Sequence, residues 1–298
     1  MPDVGFETPI LFIVFNRPDT TQQVFERIRL VRSRKLFVAA DGPRVDKSGE
    51  DELCFKVREI VGRVDWDCEV KILFRDANLG CKKAVTGAIN WFFENVEEGI
   101  ILEDDCLPDI TFFQFCRELL ERYRDDQRIM HIAGTNFHRG WRRDTDYSYY
   151  LSYFGSIWGW ATWRRAWKLH DVNMPMYPEM RSKEYLNDLC VSKDELEFRL
   201  SVFDMVFWGK LNTWDYQWSF SKIMNSGLAI IPNVNLITNI GFGSGTHTKS
   251  SDNSTLRFPS AEMSFPLRHP PFIIRATVTD TGFVNLFLRQ NRWGMIKS

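Results

Sequence analysis

Residues 99–105 read Gly-Ile-Ile-Leu-Glu-Asp-Asp. A short apolar run closed by acids is the pattern of a buried strand that ends at a charged turn. It predicts a strand over Gly99–Leu102 with Glu103, Asp104 and Asp105 at its carboxyl end. The pattern recurs upstream. Pro9–Phe15 is closed by Asn16-Arg17-Pro18, Lys35–Ala40 is closed by Asp41-Gly42-Pro43, and Val70–Phe74 is a third apolar run. Between these runs lie stretches with helical spacing. One is capped by Asp19 and carries Val24, Ile28 and Val31; a second carries Leu53, Val57, Ile60 and Val61. Lys82–Phe93 follows Asn78-Leu79-Gly80, and Asp109–Tyr123 puts Phe112, Phe115, Cys116, Leu119 and Tyr123 on one face.

Short strands alternating with helices predict an α/β fold: a mostly parallel, Rossmann-like sheet flanked by helices on both faces. In such sheets ligands bind outside the carboxyl ends of the strands. The polar clusters Asn16-Arg17, Asp41-Gly42 and Glu103-Asp104-Asp105 all fall at such ends. The second half is less regular. Ile129–Ala133, Leu228–Ile231 and Asn235–Thr238 read as strands, Ser192–Trp208 and Thr213–Asn225 as helices, and Gly241–Thr255 as a mobile loop. The change of character predicts segments 1–140, 141–255 and 256–298.

Composition bounds the partners. The 298 residues are 44% hydrophobic and 26% charged with net charge −1, so a large core is possible and no global field favours nucleic acid. Aromatic residues reach 14%, with 11 Trp, which suits a core or a surface that stacks on sugar rings. The six cysteines form no C-x-x-C pair and read as reduced thiols of a cytoplasmic protein. MPDVGFETP lacks a basic region and an apolar run, so no signal peptide is expected, and no apolar stretch reaches about 18 residues.

Three consecutive acids at a strand end repel one another unless a cation compensates them. Carboxylate oxygen suits Mg²⁺ or Mn²⁺, which complete their shell with water and phosphate oxygen. The bland alternative is an acidic cap for the helix that follows Asp109. Asp41 can accept from a base or a ribose hydroxyl. Arg17 and Arg44 can fork onto a diphosphate, and Gly42 allows close approach. Ordinary turns are the alternative for Asn16, Arg17, Asp41, Gly42 and Arg44. Asn78 and Lys82 lead into a helix whose amides could face an anion. Asp215, between Trp214 and Trp218 with Thr213 as the expected cap, is a candidate general base or a plain first-turn acid. Trp160, Trp163 and Trp167 have helical spacing and fit a packed face, while Trp158 fits a ligand platform. His247 sits in the expected loop. The stretch Phe283–Lys297 is a basic amphipathic tail that packs on the domain or lies on a membrane.

Phe15-Asn16-Arg17-Pro18, Ala40-Asp41-Gly42, Asn78-Leu79-Gly80-Cys81 and Leu102-Glu103-Asp104-Asp105, in that order, resemble the landmarks of a GT-A-fold glycosyltransferase of the nucleotide-diphosphosugar transferase superfamily. The likeness covers roughly residues 8–250. The acidic motif is similar to the E-D-D of the eukaryotic N-acetylglucosaminyltransferases that start complex N-glycan branches. Trp158–Trp167 and Trp214–Trp218 look like a bacterial branch found with polysaccharide gene clusters.

The resemblance implies a metal-dependent inverting transferase. It would move a sugar from a nucleotide diphosphosugar, UDP-sugar favoured, to a hydroxyl of a glycan or lipid-linked glycan in bacterial surface polysaccharide synthesis. Asp105 would bind Mn²⁺ or Mg²⁺, and His247 would close on the metal or diphosphate. Glu103 and Asp104 would contact the nucleotide. Arg17 and Asp41 would line the base and ribose pocket, joined by Asn16, Gly42, Arg44, Asn78 and Lys82. Asp215 would be the base, with Trp158, Trp160 and Trp214 on the acceptor side. Residues 1–140 would hold the donor, 141–255 the acceptor, and 256–298 would be an extension packed on the domain. The place of work would be the cytoplasm, with the tail as a route to the inner face of a membrane. A retaining transferase and a non-catalytic carbohydrate-binding protein are the alternatives. A sugar nucleotidyltransferase is disfavoured because Asn-Arg-Pro-Asp, not a Gly-rich basic loop, follows the first strand.

Overall fold

The computed structural model describes residues 5–138, 146–241 and 258–289. Strand β1 (Ile10–Val14) leads into α1 (Pro18–Val31), β2 (Lys35–Ala40), α2 (Glu50–Val61), β3 (Glu69–Phe74), α3 (Gly80–Asn95) and β4 (Glu98–Glu103). Then come β5 (Cys106–Pro108), α4 (Ile110–Arg122), β6 (Ile129–Ala133), β7 (Tyr149–Ser152), β8 (Trp160–Trp163) and α5 (Arg164–Trp167). The chain closes with α6 (Tyr177–Ser182), α7 (Lys193–Phe207), α8 (Asp215–Met224), β9 (Leu228–Pro232), β10 (Ile237–Asn239) and α9 (Thr277–Arg289).

Eight strands form one sheet in the order β3-β2-β1-β4-β8-β6-β9-β7. β1 pairs in parallel with β2 (Ile10 beside Leu36) and with β4 (Ile10 beside Ile100), and β2 pairs in parallel with β3. β8 runs antiparallel to both β4 and β6, and β7 antiparallel to β9. The expected α/β architecture is what the chain adopts. β1 is the element from which strand order departs in two directions, to β2 and β3 on one side and to β4 on the other. That makes the crevice at the carboxyl ends of β1 and β4 the topological switch point.

Alternate residues of the strands serve two cores. Ile10, Phe12, Val38, Ile100 and Leu102 pack with Val24, Val57 and Phe115 of α1, α2 and α4. Leu11, Phe37 and Ile101 pack on the other face with Val85, Ile89, Phe92 and four tryptophans, Trp160, Trp167, Trp214 and Trp218. Much of the high Trp content is therefore core.

Several local expectations change. Trp160 and Trp163 lie on strand β8, not on a helix. On a strand a spacing of three puts the two rings on opposite faces, and both faces of β8 are buried, Trp160 in one core and Trp163 in the other. Helix α1 starts with Pro18 at its first position and Arg17 as cap, so Asp19 is a first-turn acid rather than the cap. Helix α8 is capped by Trp214 without a side-chain bond, and the Thr213 hydroxyl donates to the Asp215 carboxylate instead. Asp109 caps α4 by accepting from the Thr111 amide at 2.9 Å. Glu103–Asp105 thus sit before β5, outside any cap, and the bland reading of those acids falls away. Among the described residues no helix is long and apolar enough to cross a membrane. Within 258–289, Asp280 and Val284 of α9 are buried against the domain.

Candidate functional site

The switch point opens into a cleft of about 490 Å³. The segment after β1 supplies Phe15 and Arg17, the segment after β2 supplies Asp41 and Arg44, the end of β4 and the turn after it supply the acids, and the first turns of α3 supply Gly80, Cys81 and Ala84. The loop before β8 contributes Trp158, and Asn239 and Gly241 close the far wall.

The acids do three different jobs. Asp104 is 6% exposed; its carboxylate accepts from the Phe15 amide at 3.1 Å and from Arg17 at 3.3 Å. It ties the end of β1 to the acidic turn. Asp105 is more open and accepts from Arg17 Nη1 at 2.6 Å. Its backbone carbonyl accepts from the Ile240 amide, and a Cβ on Gly241 would come within 2.4 Å of its carboxylate, so only glycine lets that wall close on it. Glu103 leaves Oε1 buried without a hydrogen-bond partner. Burial, then the repulsion of Asp105 and Asp104, pushes the Glu103 carboxyl well above the usual carboxylate range. Asp104 is pushed up by burial against the opposing pull of Arg17.

The donor set bears on the expected metal. Among the described residues no three His, Cys, Asp or Glu side chains converge as a ready-made cage. The turn nonetheless has three carboxylates for one guanidinium, which contacts Asp104 and Asp105 and feels only the charge of Glu103, and one orphaned carboxylate oxygen on Glu103. Hard oxygen and a surplus of negative charge fit a divalent cation that takes one or two carboxylates and leaves the rest of its shell to water and phosphate.

Other expected residues are placed as follows. Asp41 is buried and its carboxylate accepts from the Leu79 and Gly80 amides at 3.1 and 3.2 Å. It accepts from the two amides that open α3, so those two are already engaged by the protein. Gly42 is required by protein packing, since a Cβ there would meet the Ala77 backbone at 2.5 Å, and it does not line the cleft. Asn78 Nδ2 donates to the Gly42 carbonyl at 2.9 Å while its side-chain oxygen accepts from Gly80. Asn16 donates to Glu50, away from the cleft lining. Arg44 is bound to Glu50 through its backbone amide and its guanidinium, which also lies 5.5 Å from the Phe15 ring centre. Lys82 lies outside the cleft lining and its charge acts on His170. His247 falls in 242–257 and the end of the tail in 290–298, both outside the described residues.

The tryptophans separate. Trp160 is 0% exposed, stacked 4.9 Å from His131 and 5.8 Å from Trp214, and Trp214 is 2% exposed. Neither offers a face to a ligand, which corrects the acceptor-side expectation for both. Trp158 is half-buried and lines both the cleft and a neighbouring cavity of about 230 Å³ that holds Asp215, Tyr216 and Phe154. Its position is braced from below. The Trp218 indole can only donate, so His131 Nδ1 accepts at 3.2 Å. Nε2 therefore carries the proton and donates to the Ser156 carbonyl at 3.0 Å. The Thr135 hydroxyl donates to the Trp158 carbonyl at 3.0 Å.

Asp215 and Glu103 are electrostatic neighbours, and both act on the thiol of Cys81, which burial raises to about 12. The structure therefore brings Arg17, Asp41, Arg44, Asn78, Glu103, Asp104, Asp105 and Trp158 to one cleft, with Asp215 at its edge. Sequence reasoning missed Arg75, Asn212 and Asn239 of the lining. Arg75 follows β3 directly, so the rule that flagged the other strand ends would have found it.

No family model matches the sequence, and no curated protein matches it. Solved structures do. A cytidylyltransferase from Leptospira borgpetersenii serovar Hardjo-bovis (strain JB197) is 13% identical with TM-score 0.36, over 59% of this chain and 68% of that one. TarS 1–349 of S. aureus is 10% identical with TM-score 0.34, over 55% of this chain and 49% of that one. A CMP:2-keto-3-deoxy-manno-octonic acid synthetase complexed with CTP is 14% identical with TM-score 0.32, over 61% and 86%.

Proposed function

We propose that the chain is a glycosyltransferase that moves a sugar from a nucleotide diphosphosugar, UDP-sugar favoured, to a hydroxyl of a glycan or lipid-linked glycan. The observation that carries this is the meeting of two carboxylate sources at the switch point. Glu103–Asp105 close the donor-side cleft, and Asp215 stands beside Glu103 in the adjoining aromatic cavity. A non-catalytic sugar-binding protein needs no such acid turn.

The residues divide the work. Asp105 and the orphaned Glu103 oxygen would hold Mn²⁺ or Mg²⁺, which when bound supplies Lewis-acid neutralisation of a leaving diphosphate. Arg17 keeps Asp105 oriented, and Asp104 fixes the turn to β1. Asp215 takes the proton from the acceptor hydroxyl, and Trp158 forms the shared wall between donor cleft and acceptor cavity. The acceptor oxygen then attacks the anomeric carbon from the side opposite the diphosphate, and configuration inverts.

Titration calorimetry with UDP and with GDP, each with and without Mn²⁺, tests the reading. Metal-dependent binding of one nucleotide, abolished by Asp105→Ala, is the expected result. A folded protein that binds no nucleotide overturns it and leaves carbohydrate binding.

A further inference from the structure

The eight-stranded sheet has two edges, and the chain treats them differently. β7 forms one edge, and residues 268–276 lie along it. Leu151 bridges to Arg275, the Ala276 amide donates to the Leu151 carbonyl at 2.7 Å, and the Ser148 amide donates to the Arg268 carbonyl at 2.8 Å. β3 forms the other edge, and among the described residues it pairs with β2 alone. The Glu69 amide donates to the Arg34 carbonyl and the Arg75 amide to the Ala40 carbonyl, so the odd-numbered residues of β3 turn their backbone groups toward β2. The N–H and C=O groups of Val70, Ile72 and Phe74 therefore point outward, where no strand of the described residues takes them.

The side chains at this edge are apolar too. Val70, Ile72 and Phe74 share one face of the sheet, the face on which Arg58 of α2 lies 5.0 Å from the Phe74 ring centre. Ile72 is 60% exposed, and so is Phe55, at 63%, one helical turn before Arg58. Open edges are commonly guarded by a charged side chain, often lysine. Lys71 is the lysine of β3, but it points to the opposite face, where its amine donates to the Asn95 side-chain oxygen of α3 at 2.9 Å. The edge is left unguarded.

We propose that two copies of this chain pair antiparallel through β3, about a two-fold axis at Ile72, and join their sheets into one. The strand's own sequence selects this partner. An axis at Ile72 sets Glu69 of each copy opposite Arg75 of the other, Val70 opposite Phe74, Lys71 opposite Leu73, and Ile72 opposite itself. Opposite charges meet at both ends and apolar side chains meet between them. Val70, Ile72 and Phe74 also meet as hydrogen-bonded pairs, so every outward backbone group of the strand finds a partner. A perpendicular two-fold axis keeps the faces of the joined sheets continuous, so Phe55 of both copies flanks the seam on the side of Ile72. An axis at Lys71 would oppose two lysines, and an axis at Val70 would set Ile72 opposite Cys68, outside the strand. The pairing needs nothing from the transferase reading.

The test is sedimentation of the full chain over a range of concentrations. The unaltered chain should dimerise with a Kd of about 10 µM or tighter. Ile72→Lys puts two like charges at the axis and removes two apolar side chains, and should raise the Kd by about 100-fold or more. Glu69→Lys turns two attractive pairs into two repulsive ones and should raise it by about tenfold. Adding Arg75→Glu to Glu69→Lys exchanges the charges and should restore dimerisation. Ile72 and Glu69 are exposed, so melting curves of the two single variants at low concentration should match that of the unaltered chain. A chain that stays monomeric at about 100 µM overturns the proposal and leaves the edge to a strand of another protein. A dimer unmoved by Ile72→Lys has its interface elsewhere and also overturns it. Failure of the exchanged charges to restore a dimer that Glu69→Lys had weakened overturns the register, and the proposal with it.

Discussion

Arg17 Nη1 lies 2.6 Å from Asp105 Oδ2 and 3.3 Å from Asp104 Oδ1, so a residue after β1 is the counter-charge for the turn after β4. Replacing it by alanine leaves three neighbouring acids without their guanidinium. Because Arg17 is a quarter exposed, the loss should be about 2–3 kcal/mol, below that of a fully buried pair. Mn²⁺ should then raise the melting temperature of Arg17→Ala more than that of the unaltered chain, because the ion replaces the missing charge. Equal shifts in both proteins would count against a cation at this turn.

Asp104 and Asp105 are neighbours in sequence with separate tasks. Asp104→Asn keeps an acceptor for the Phe15 amide but gives Arg17 a weaker partner, so it should act mainly on stability, by about 1–2 kcal/mol. Asp105→Asn should leave stability closer to unchanged and lower nucleotide affinity in Mn²⁺ by about tenfold or more. Melting curves and calorimetry on the two variants separate the roles, and a reversed result would exchange them.

Asp215 stands at the edge of the acceptor cavity, beside Glu103. Asp215→Asn keeps shape and removes the proton acceptor. Turnover should fall by about 10²-fold or more with nucleotide affinity held. Full activity in the variant would remove Asp215 from the mechanism.

Lys222 is 1% exposed, and its amine is pressed on by Arg199, with Asp280 as the opposing charge and the neutral His131 beside it. Burial, then Arg199, lowers its pKa from 10.5 to about 7. Between those values the unfolded chain holds a proton that the folded chain lacks, so stability rises with pH across that window. Below about 7 both states are protonated and the full penalty of a buried charge applies. Lys222→Met should therefore stabilise by on the order of 1–4 kcal/mol near pH 6, with the gain shrinking toward pH 10. Denaturant melts at the two pH values decide, and a gain independent of pH would mean that Lys222 is not the titrating group.

The parallel half of the fold was legible because its strands are buried on both faces and read as unbroken apolar runs, each closed by a polar turn. The switch point followed from those turns, since Arg17 and Glu103–Asp105 fall at the ends of adjacent strands. What was hidden is where a polar side chain turns. Asp41 caps a helix whose amides lie 38 and 39 residues further on, and Arg44 is drawn to Glu50. The first partnership is tertiary and the second closes a loop of six residues, and neither falls at a helix or strand spacing. The tryptophan segment was ambiguous for a different reason: Trp-Ala-Thr-Trp is too short to distinguish a strand from a helical turn.

Within the same segment two tryptophans only two residues apart contrast. Trp160 is wholly enclosed by His131, Trp214 and Trp218, and its indole nitrogen has no hydrogen-bond partner. Truncating it to alanine opens a large cavity and should cost about 3–5 kcal/mol. Trp160→Phe removes the orphaned N–H along with some area, so its cost should be far smaller than that of the alanine variant. Trp158 is half-buried between the two cavities, braced through its backbone by Thr135 and, one turn back, by His131. Those braces survive truncation of the ring. Trp158→Ala should therefore lose only about 1–2 kcal/mol of stability. It should raise the acceptor KM by about tenfold, with nucleotide affinity changed less. Thermal melts paired with kinetics on both variants are the measurement. A Trp158→Ala protein that melts as early as Trp160→Ala would make Trp158 one more core ring, and the wall between the cavities would have no part in holding the acceptor.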